Sequence, residues 1–299
     1  MILGLDIGGT KIEGVGLDSV TYETLVTYRN VTYTKTYKGF LLSVISVIDE
    51  VAKYGNIESI GIGCCGSVDK AGLMQGANLL ILNGQDFIGD IKNKSNVPVA
   101  IANDADCLAL SEFKDGAAKE AQNSCVAIIL GTGCGSGLII HNKLVTGLNN
   151  LGGELGHSPL PNYLAEVDGP EVFCYCGSKN CTETFVSGTG FARTFSAQYH
   201  QANSKEIMHQ YKQGNTQAVV HLDLYCDQLA RVCANIVNFV DPEMIVLGGG
   251  MSNIDEIYPL VNEKLNQYTF TKKTVTEIVK NVYGDSSGVR GAAFLHLQG

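Results

Sequence analysis

The chain has 299 residues, is 45% hydrophobic and carries a formal net charge of −9. That is ample apolar material for one large or two medium cores. The acidic balance, with no run of lysine or arginine, excludes a surface built to neutralise nucleic acid or anionic lipid, and neither is expected as a partner. In chain order, short strands over 2–6 and 11–17 meet through Gly8-Gly9-Thr10, a hairpin signal. Residues 40–54 space Leu41, Val44, Ile45, Ile48, Val51 and Ala52 as an amphipathic helix does. A strand over 59–63 and a Gly-rich loop follow, then an apolar run over 97–102 that ends in Asn103-Asp104 and leads into a helix over 105–113. The opening pattern then recurs: a strand over 125–130, the turn Gly131-Thr132-Gly133 and a strand over 137–140. A long helix is predicted over 216–239, stopped by Asp241-Pro242. A strand over 243–247, the triple glycine Gly248 to Gly250 and a last helix over 286–297 complete the chain.

Two units that each begin with a glycine hairpin imply two tandem α/β domains facing a central cleft. We place the first at 1–116 with 286–299, the last helix packing back on it, and the second at 117–285. No apolar run approaches the roughly 18 residues of a membrane span. The apolar start is cut by Asp6 and lacks a basic lead, so no secretory signal is expected and the chain is expected to be cytoplasmic.

Glycine turns rich in threonine suit phosphate, because backbone N–H groups can approach an anion where no side chain intervenes. The alternative for either turn alone is an ordinary hairpin turn. Gly9-Thr10-Lys11 is similar to the end of a GxxxxGK[ST] loop, but that spacing is absent and the turn joins strand to strand, which excludes a P-loop. GxGxxG in a strand-turn-helix setting is absent too, which removes the dinucleotide reading. Asn103-Asp104 lies where open α/β sheets place ligand chemistry, and equally where a helix takes its N-cap. "GGELGH", 152 to 157, sets Glu154 and His157 three residues apart, able to face one hydroxyl-rich ligand together.

Of ten cysteines, Cys64, Cys65, Cys107, Cys125, Cys134, Cys226 and Cys233 sit in apolar or Gly-rich segments and are expected to act as small hydrophobes. The other three stand in "CYCGSKNC", 174 to 181, a candidate disulfide cluster, redox centre or metal site. A reducing compartment disfavours disulfides. Cys174, Cys176 and Cys181 lack one ligand for a tetrahedral zinc site, which His157 could supply.

Seven ordered motifs resemble the kinase branch of the ROK family (repressor, open reading frame, kinase). They are "LDIGGTKI" (5 to 12), "ANDADCLALSE" (102 to 112), "LGTGCGSG" (130 to 137), "GGELGH" (152 to 157), "CYCGSKNCTETFVSGTGFA" (174 to 192), "DPEMIVLGGGMSN" (241 to 253) and "GDSSGVRGAAFLHL" (284 to 297). "LNGQDF", 82 to 87, and "CYCG" with "ETFVSGTGFA" look closest to bacterial fructokinases and mannokinases, with N-acetylglucosamine kinases next. The resemblance implies the actin-like, hexokinase-like (ribonuclease H-like) fold. It also implies ATP-dependent phosphorylation of a hexose, fructose to fructose 6-phosphate being the expected reaction, in a homodimer. Carried over by motif, Asp6, Gly8, Gly9, Thr10 and Lys11 would border the phosphates and Mg²⁺, with Gly131, Thr132 and Gly133 opposite, and Gly248, Gly249 and Gly250 would flank the adenosine. Gly66, Asn103, Asp104, Glu154, His157 and Glu183 would hold the sugar, Asp104 acting as general base. His157, Cys174, Cys176 and Cys181 would bind a structural Zn²⁺.

Three features depart from the family pattern. Asp106 replaces the usual Asn of "NDAN" and is expected to turn out to solvent; "GCCG", 63 to 66, replaces Gly-x-Pro-Gly; and 16 residues separate His157 from Cys174, a longer loop than in many relatives. Sugar-responsive repressors share this body, but they carry an N-terminal helix-turn-helix domain. None is expected here, where the first strand begins at residue 2 and the balance is acidic. An actin-like filament or chaperone ATPase has no need of the sugar carboxylates or the cysteine cluster.

Overall fold

The computed structural model describes residues 1–77 and 79–298. β1 (Ile2–Ile7) and β2 (Lys11–Leu17) pair antiparallel across the first glycine turn, and β3 (Thr24–Val31) extends β2 at the edge. α1 (Tyr37–Ala52) begins at the Thr36 cap and buries Phe40, Val44, Val47, Ile48 and Val51. β4 (Ser59–Cys64) runs parallel to β1. A ribbon of β5 (Ser67–Val68) and β6 (Met74–Gln75) and helix α2 (Phe87–Ser95) follow, and β7 (Val99–Ala102) completes a sheet of order β3-β2-β1-β4-β7.

α3 (Asp104–Lys114) leads to β8 (Ser124–Leu130), β9 (Cys134–Ile140) and β10 (Lys143–Leu144). Beyond a long loop come α4 (Ala165–Asp168), α5 (Glu183–Val186), α6 (Gly188–Gln198), α7 (Ser204–Lys212) and α8 (Thr216–Val240). β11 (Met244–Gly248), α9 (Ile257–Tyr268), β12 (Glu277–Lys280) and α10 (Ser287–Ala293) end the fold. The second sheet has the order β10-β9-β8-β11-β12. In both sheets an antiparallel hairpin is followed by two parallel additions on its first strand. The repeat suggested by the two glycine turns is therefore a repeat of topology.

α3 and α10 lie between the sheets, α3 touching β8 and β9 while α10 rests on β1 and β4. Missing side chains make that contact possible: a Cβ on Gly4 would stand 2.0 Å from the Val289 carbonyl oxygen, and one on Gly61 1.7 Å from that of Ala292. Glu112, fully buried in α3, joins the layers by accepting from the N–H of Ala117 and Val282 and the hydroxyl of Ser287. Three donors offset the desolvation of its carboxylate. Arg290 ties α10 to Asp115 and to the Tyr22 carbonyl.

The last helix is shorter than the predicted 286–297, tightening after Ala293 into a 3₁₀ stretch, Phe294–Gln298. His296 Nδ1 approaches the Ala293 carbonyl at 2.8 Å, satisfying a group an α-helix would bond four residues on. Of the seven cysteines expected to act as small hydrophobes six are buried, but Cys65 is exposed. Among the described residues no helix is long and apolar enough to cross a membrane.

Candidate active site

β7 ends at Ala102 and α3 starts at Asp104, so the pair Asn103-Asp104 sits at the carboxyl end of a parallel strand and the positive end of a helix. Asn103 is the cap, its Oδ1 accepting from the Asp106 N–H at 2.6 Å. Asp104 is therefore free of the capping task, and its Oδ1 accepts only the adjacent Ala105 N–H, at 3.0 Å. Its side chain is open to solvent, yet protein crowds it closely enough that burial raises its pKa, outweighing the Ala105 bond. Asp6, at the end of β1, feels Asp104: burial first, then the charges of Glu13 and Asp104, against the pull of Lys11, bring its pKa to about 6. Lys11 is itself held by buried Glu13, at 3.1 Å.

Beside Asn103 opens a cavity of about 590 Å³, lined also by Gly66, Gln75, Asp106, Asn150 and Glu154. The size suits a small ligand. Gly66 must be glycine: its φ is +110°, and a Cβ would lie 2.9 Å from the Gln75 oxygen. The two halves of the molecule meet at the cavity rim, where Asn150 Nδ2 donates to the Val68 carbonyl at 3.0 Å. Asp106 is a correction. It does not turn outward but is 5% exposed and lines this cavity, because α3 presses directly on Gly137 of β9.

Glu154 and His157 sit together on the neighbouring loop, with His157 Nε2 4.0 Å from Glu154 Oε2 and 3.0 Å from the Tyr175 hydroxyl. The other ring nitrogen, Nδ1, faces the cysteines, 3.6 Å from Cys174 Sγ. Cys176 and Cys181 place their sulfurs 3.6 Å apart, far beyond a disulfide bond of about 2.05 Å. The four candidate ligand atoms of His157, Cys174, Cys176 and Cys181 lie within 4.8 Å of one another. A tetrahedral Zn²⁺, with bonds of about 2.3 Å to sulfur and 2.0–2.1 Å to nitrogen, would separate its ligands by roughly 3.5–3.8 Å, so the donor set fits. Backbone pairing preforms the cluster: Pro159 bridges Cys181, Phe173 bridges Lys179, and the Thr182 N–H reaches the Ser158 carbonyl at 2.8 Å. The intervening loop is anchored by fully buried Asp168, which pairs with Arg231 of α8 and accepts from Gln228.

Glu183 stands apart from the cavity in this conformation. Its Oε2 accepts the Cys134 N–H at 3.1 Å, and it lines a recess with Thr132, Gly133, Cys174 and Arg193. The second glycine turn is shared on its other side by a cavity of about 740 Å³ bounded by Leu130, Gly131, Lys205, Met208, Gly250 and Met251. Gly250 opens on that space, whereas Gly248 packs on Leu108 and Gly249, at φ +81°, on Leu130. Sequence reasoning missed α7, which covers this cavity with Lys205, Met208 and Lys212. Its capping box, Asn203 with Glu206, was there to be read.

Two matching sheets, two glycine hairpins and a carboxyl-lined cleft between them define a hexokinase-like sugar kinase fold. Among solved structures, the ROK hexokinase from Thermus thermophilus is similar with a TM-score of 0.87 and 22% identity, covering 99% of both chains. A ROK family glucokinase from Streptomyces griseus, solved in complex with glucose and AMPPNP, has a TM-score of 0.77 and 24% identity, covering 100% of this chain and 99% of that one. The chain belongs to the ROK family, whose sequence profile matches residues 2–299. Among curated relatives, N-acetyl-D-glucosamine kinase of Aliivibrio fischeri is 36% identical over 305 residues and covers 100% of each chain. That of Escherichia coli is 37% identical over 304 residues and covers 99% of each.

Proposed function

We propose that the protein transfers the terminal phosphoryl group of ATP to the primary hydroxyl of a hexose, and that the hexose is N-acetyl-D-glucosamine. The observation that carries the sugar is whole-length identity of 36–37% to kinases of that name. These relatives support N-acetyl-D-glucosamine over fructose, the reaction expected from "LNGQDF" and "ETFVSGTGFA".

In this reading the sugar lies in the cavity of Gly66, Asn103 and Glu154, with His157 Nε2 reached past Glu154. Glu183, which stands apart from the cavity in this conformation, would join it when the sugar binds. Asp104 takes the proton of the attacking hydroxyl. Its crowded setting supports that role, since a carboxylate deprived of water is a stronger base. Phosphoryl transfer otherwise asks for positioning and charge stabilisation. Gly9, Thr10 and Lys11 of one hairpin and Thr132 and Gly133 of the other would border the phosphates, with Gly8 and Gly131 closing the two turns by donating their own N–H to the Lys11 and Gly133 carbonyls, and Asp6 would face the Mg²⁺ that ATP carries. The nucleoside occupies the cavity at Gly250 and Met251, with Gly248 and Gly249 packed behind it on Leu108 and Leu130. Zn²⁺ on His157, Cys174, Cys176 and Cys181 would cross-link the loop and fix the His157 ring, so that its other nitrogen faces Glu154 and the Tyr175 hydroxyl. The domain division at 1–116 with 286–299 and at 117–285 is supported by sheet membership and by the return of α10 onto β1. The homodimer rests on the family resemblance.

A coupled assay of ATP against N-acetylglucosamine, glucose, mannose and fructose tests the reading. We expect the highest kcat/KM for N-acetylglucosamine, by about tenfold or more. A preference for fructose overturns the sugar, and no phosphorylation of any hexose overturns the kinase.

A further inference from the structure

Asp106 has no task in the chemistry above, and its place is an uncomfortable one for a carboxylate. It lies in the first turn of α3, 5% exposed, on the wall shared by Gly66, Asn103 and Glu154. Its backbone N–H is taken by the cap, while its carboxyl is poorly served: Oδ1 is buried and makes no hydrogen bond, and a single backbone donor, the Asn103 N–H, acts on the group. An ionised carboxylate so placed needs a cation or several N–H donors. What faces it is acidic: Asp104 from its own helix and Glu154 from the loop beyond β10, with the buried thiol of Cys107 next to it. The backbone cannot carry it outward, since Gly137 packs so closely that a Cβ there would stand 2.8 Å from the Asp106 Cα. Burial, then the charges of Asp104 and Glu154, outweigh the Asn103 N–H and push its carboxyl up to about 7.

A neutral carboxyl has an O–H to give, whereas an ionised one only accepts. The difference matters in this cleft, where Asp104 and Glu154 act as acceptors and the Asn103 oxygen is occupied by the cap. We propose that Asp106 is a further sugar-contacting, specificity-determining residue that works as the neutral acid, its O–H donating to an oxygen of the bound sugar. It does there what the amide of the family's usual Asn could do, with the addition that the donor is lost when the proton leaves. The inference rests on the sugar-kinase reading for the identity of the ligand.

The test is sugar affinity between pH 5.5 and 9, by calorimetry with N-acetyl-D-glucosamine and in parallel by sugar KM, for wild type, Asp106→Asn and Asp106→Ala. Wild-type affinity should fall as pH rises through about 7, approaching tenfold per pH unit on the alkaline side. Asp106→Asn, a donor that cannot ionise, should hold the wild-type acid-side affinity and lose that limb. Asp106→Ala should weaken sugar binding about tenfold at pH 6 and leave the ATP KM unchanged. An Asn variant that follows the wild-type pH curve overturns the proposal, as does a folded Ala variant within about twofold of wild type in sugar affinity. Should Asp106→Ala fail to fold, the Asn pH series decides alone. If the protein turns over no hexose, the kinase reading falls, while calorimetry, which needs no turnover, still decides the role of Asp106.

Discussion

Replacing Asp104 with Asn separates two uses of an acidic residue at the start of α3. The cap belongs to Asn103, and Asp104 contributes only one bond, from the Ala105 N–H at 3.0 Å. An amide oxygen accepts that bond equally well, so the substitution removes a charge and leaves the geometry. Stability should hold or rise slightly, because Asp104 is desolvated and repels Asp6. The chemical step should suffer heavily. A general base contributes typically about 10²- to 10⁴-fold in rate, or roughly 3–5 kcal/mol of barrier. Measured at saturating sugar and ATP, kcat should drop at least about 100-fold, while the thermal melt and ATP affinity stay near wild type. The base works only when ionised, and burial raises its pKa, so wild-type kcat should fall as pH falls through that raised value. A variant whose kcat lies within a few-fold of wild type would refute the base.

Protein purified without added metal should contain about one zinc per chain by elemental analysis, and Cys176→Ser should lose both metal and thermal stability; a metal-free, fully active wild type would end that reading. Arg231→Met strands buried Asp168 and should lower unfolding stability by about 3–5 kcal/mol in denaturant melts, with a loss under 1 kcal/mol speaking against the anchor. Burial would raise the Asp168 pKa, but Arg231, the Leu164 N–H and Gln228 together lower it, so this pair stabilises above the unfolded carboxyl pKa and its contribution fades as pH falls through the folded one. Glu183→Gln keeps an acceptor for the Cys134 N–H but loses charge, so the sugar KM should rise several-fold with the ATP KM steady. If only the ATP KM moves, Glu183 braces the phosphate hairpin and does not hold sugar.

The elements easiest to read were those whose signal is local. Both glycine hairpins stand where the turns placed them, because strand alternation and a tight Gly turn are decided within a dozen residues. The long α8 appears within one residue of its expected span, since Asn215 caps it and Asp241-Pro242 ends it. The cysteine cluster was legible from spacing, but which histidine nitrogen faces it depends on the Pro159 and Cys181 bridge, a contact across the loop. Asp106 was misread for the same kind of reason. Its burial comes from Gly137, 31 residues further on, letting β9 approach the helix, and nothing within α3 records that.

That dependence explains why the carboxyl groups of the cleft differ in character though they are chemically alike. Asp6, Asp104, Asp106 and Glu154 come from a strand end, a helix start, the same helix half a turn on, and a loop. Each meets a different balance of burial and charge: Lys11 is set against burial at Asp6, the Ala105 N–H at Asp104, and at Asp106 burial is compounded by two neighbouring carboxyls. A reaction that needs one carboxylate to accept a proton, another to face a metal-bound phosphate and a third group to donate to the sugar can draw all three from aspartate, provided the backbone sets their surroundings apart. In this chain α3 does much of that, exposing Asp104 to the cleft mouth and pressing Asp106 against β9 within a single turn.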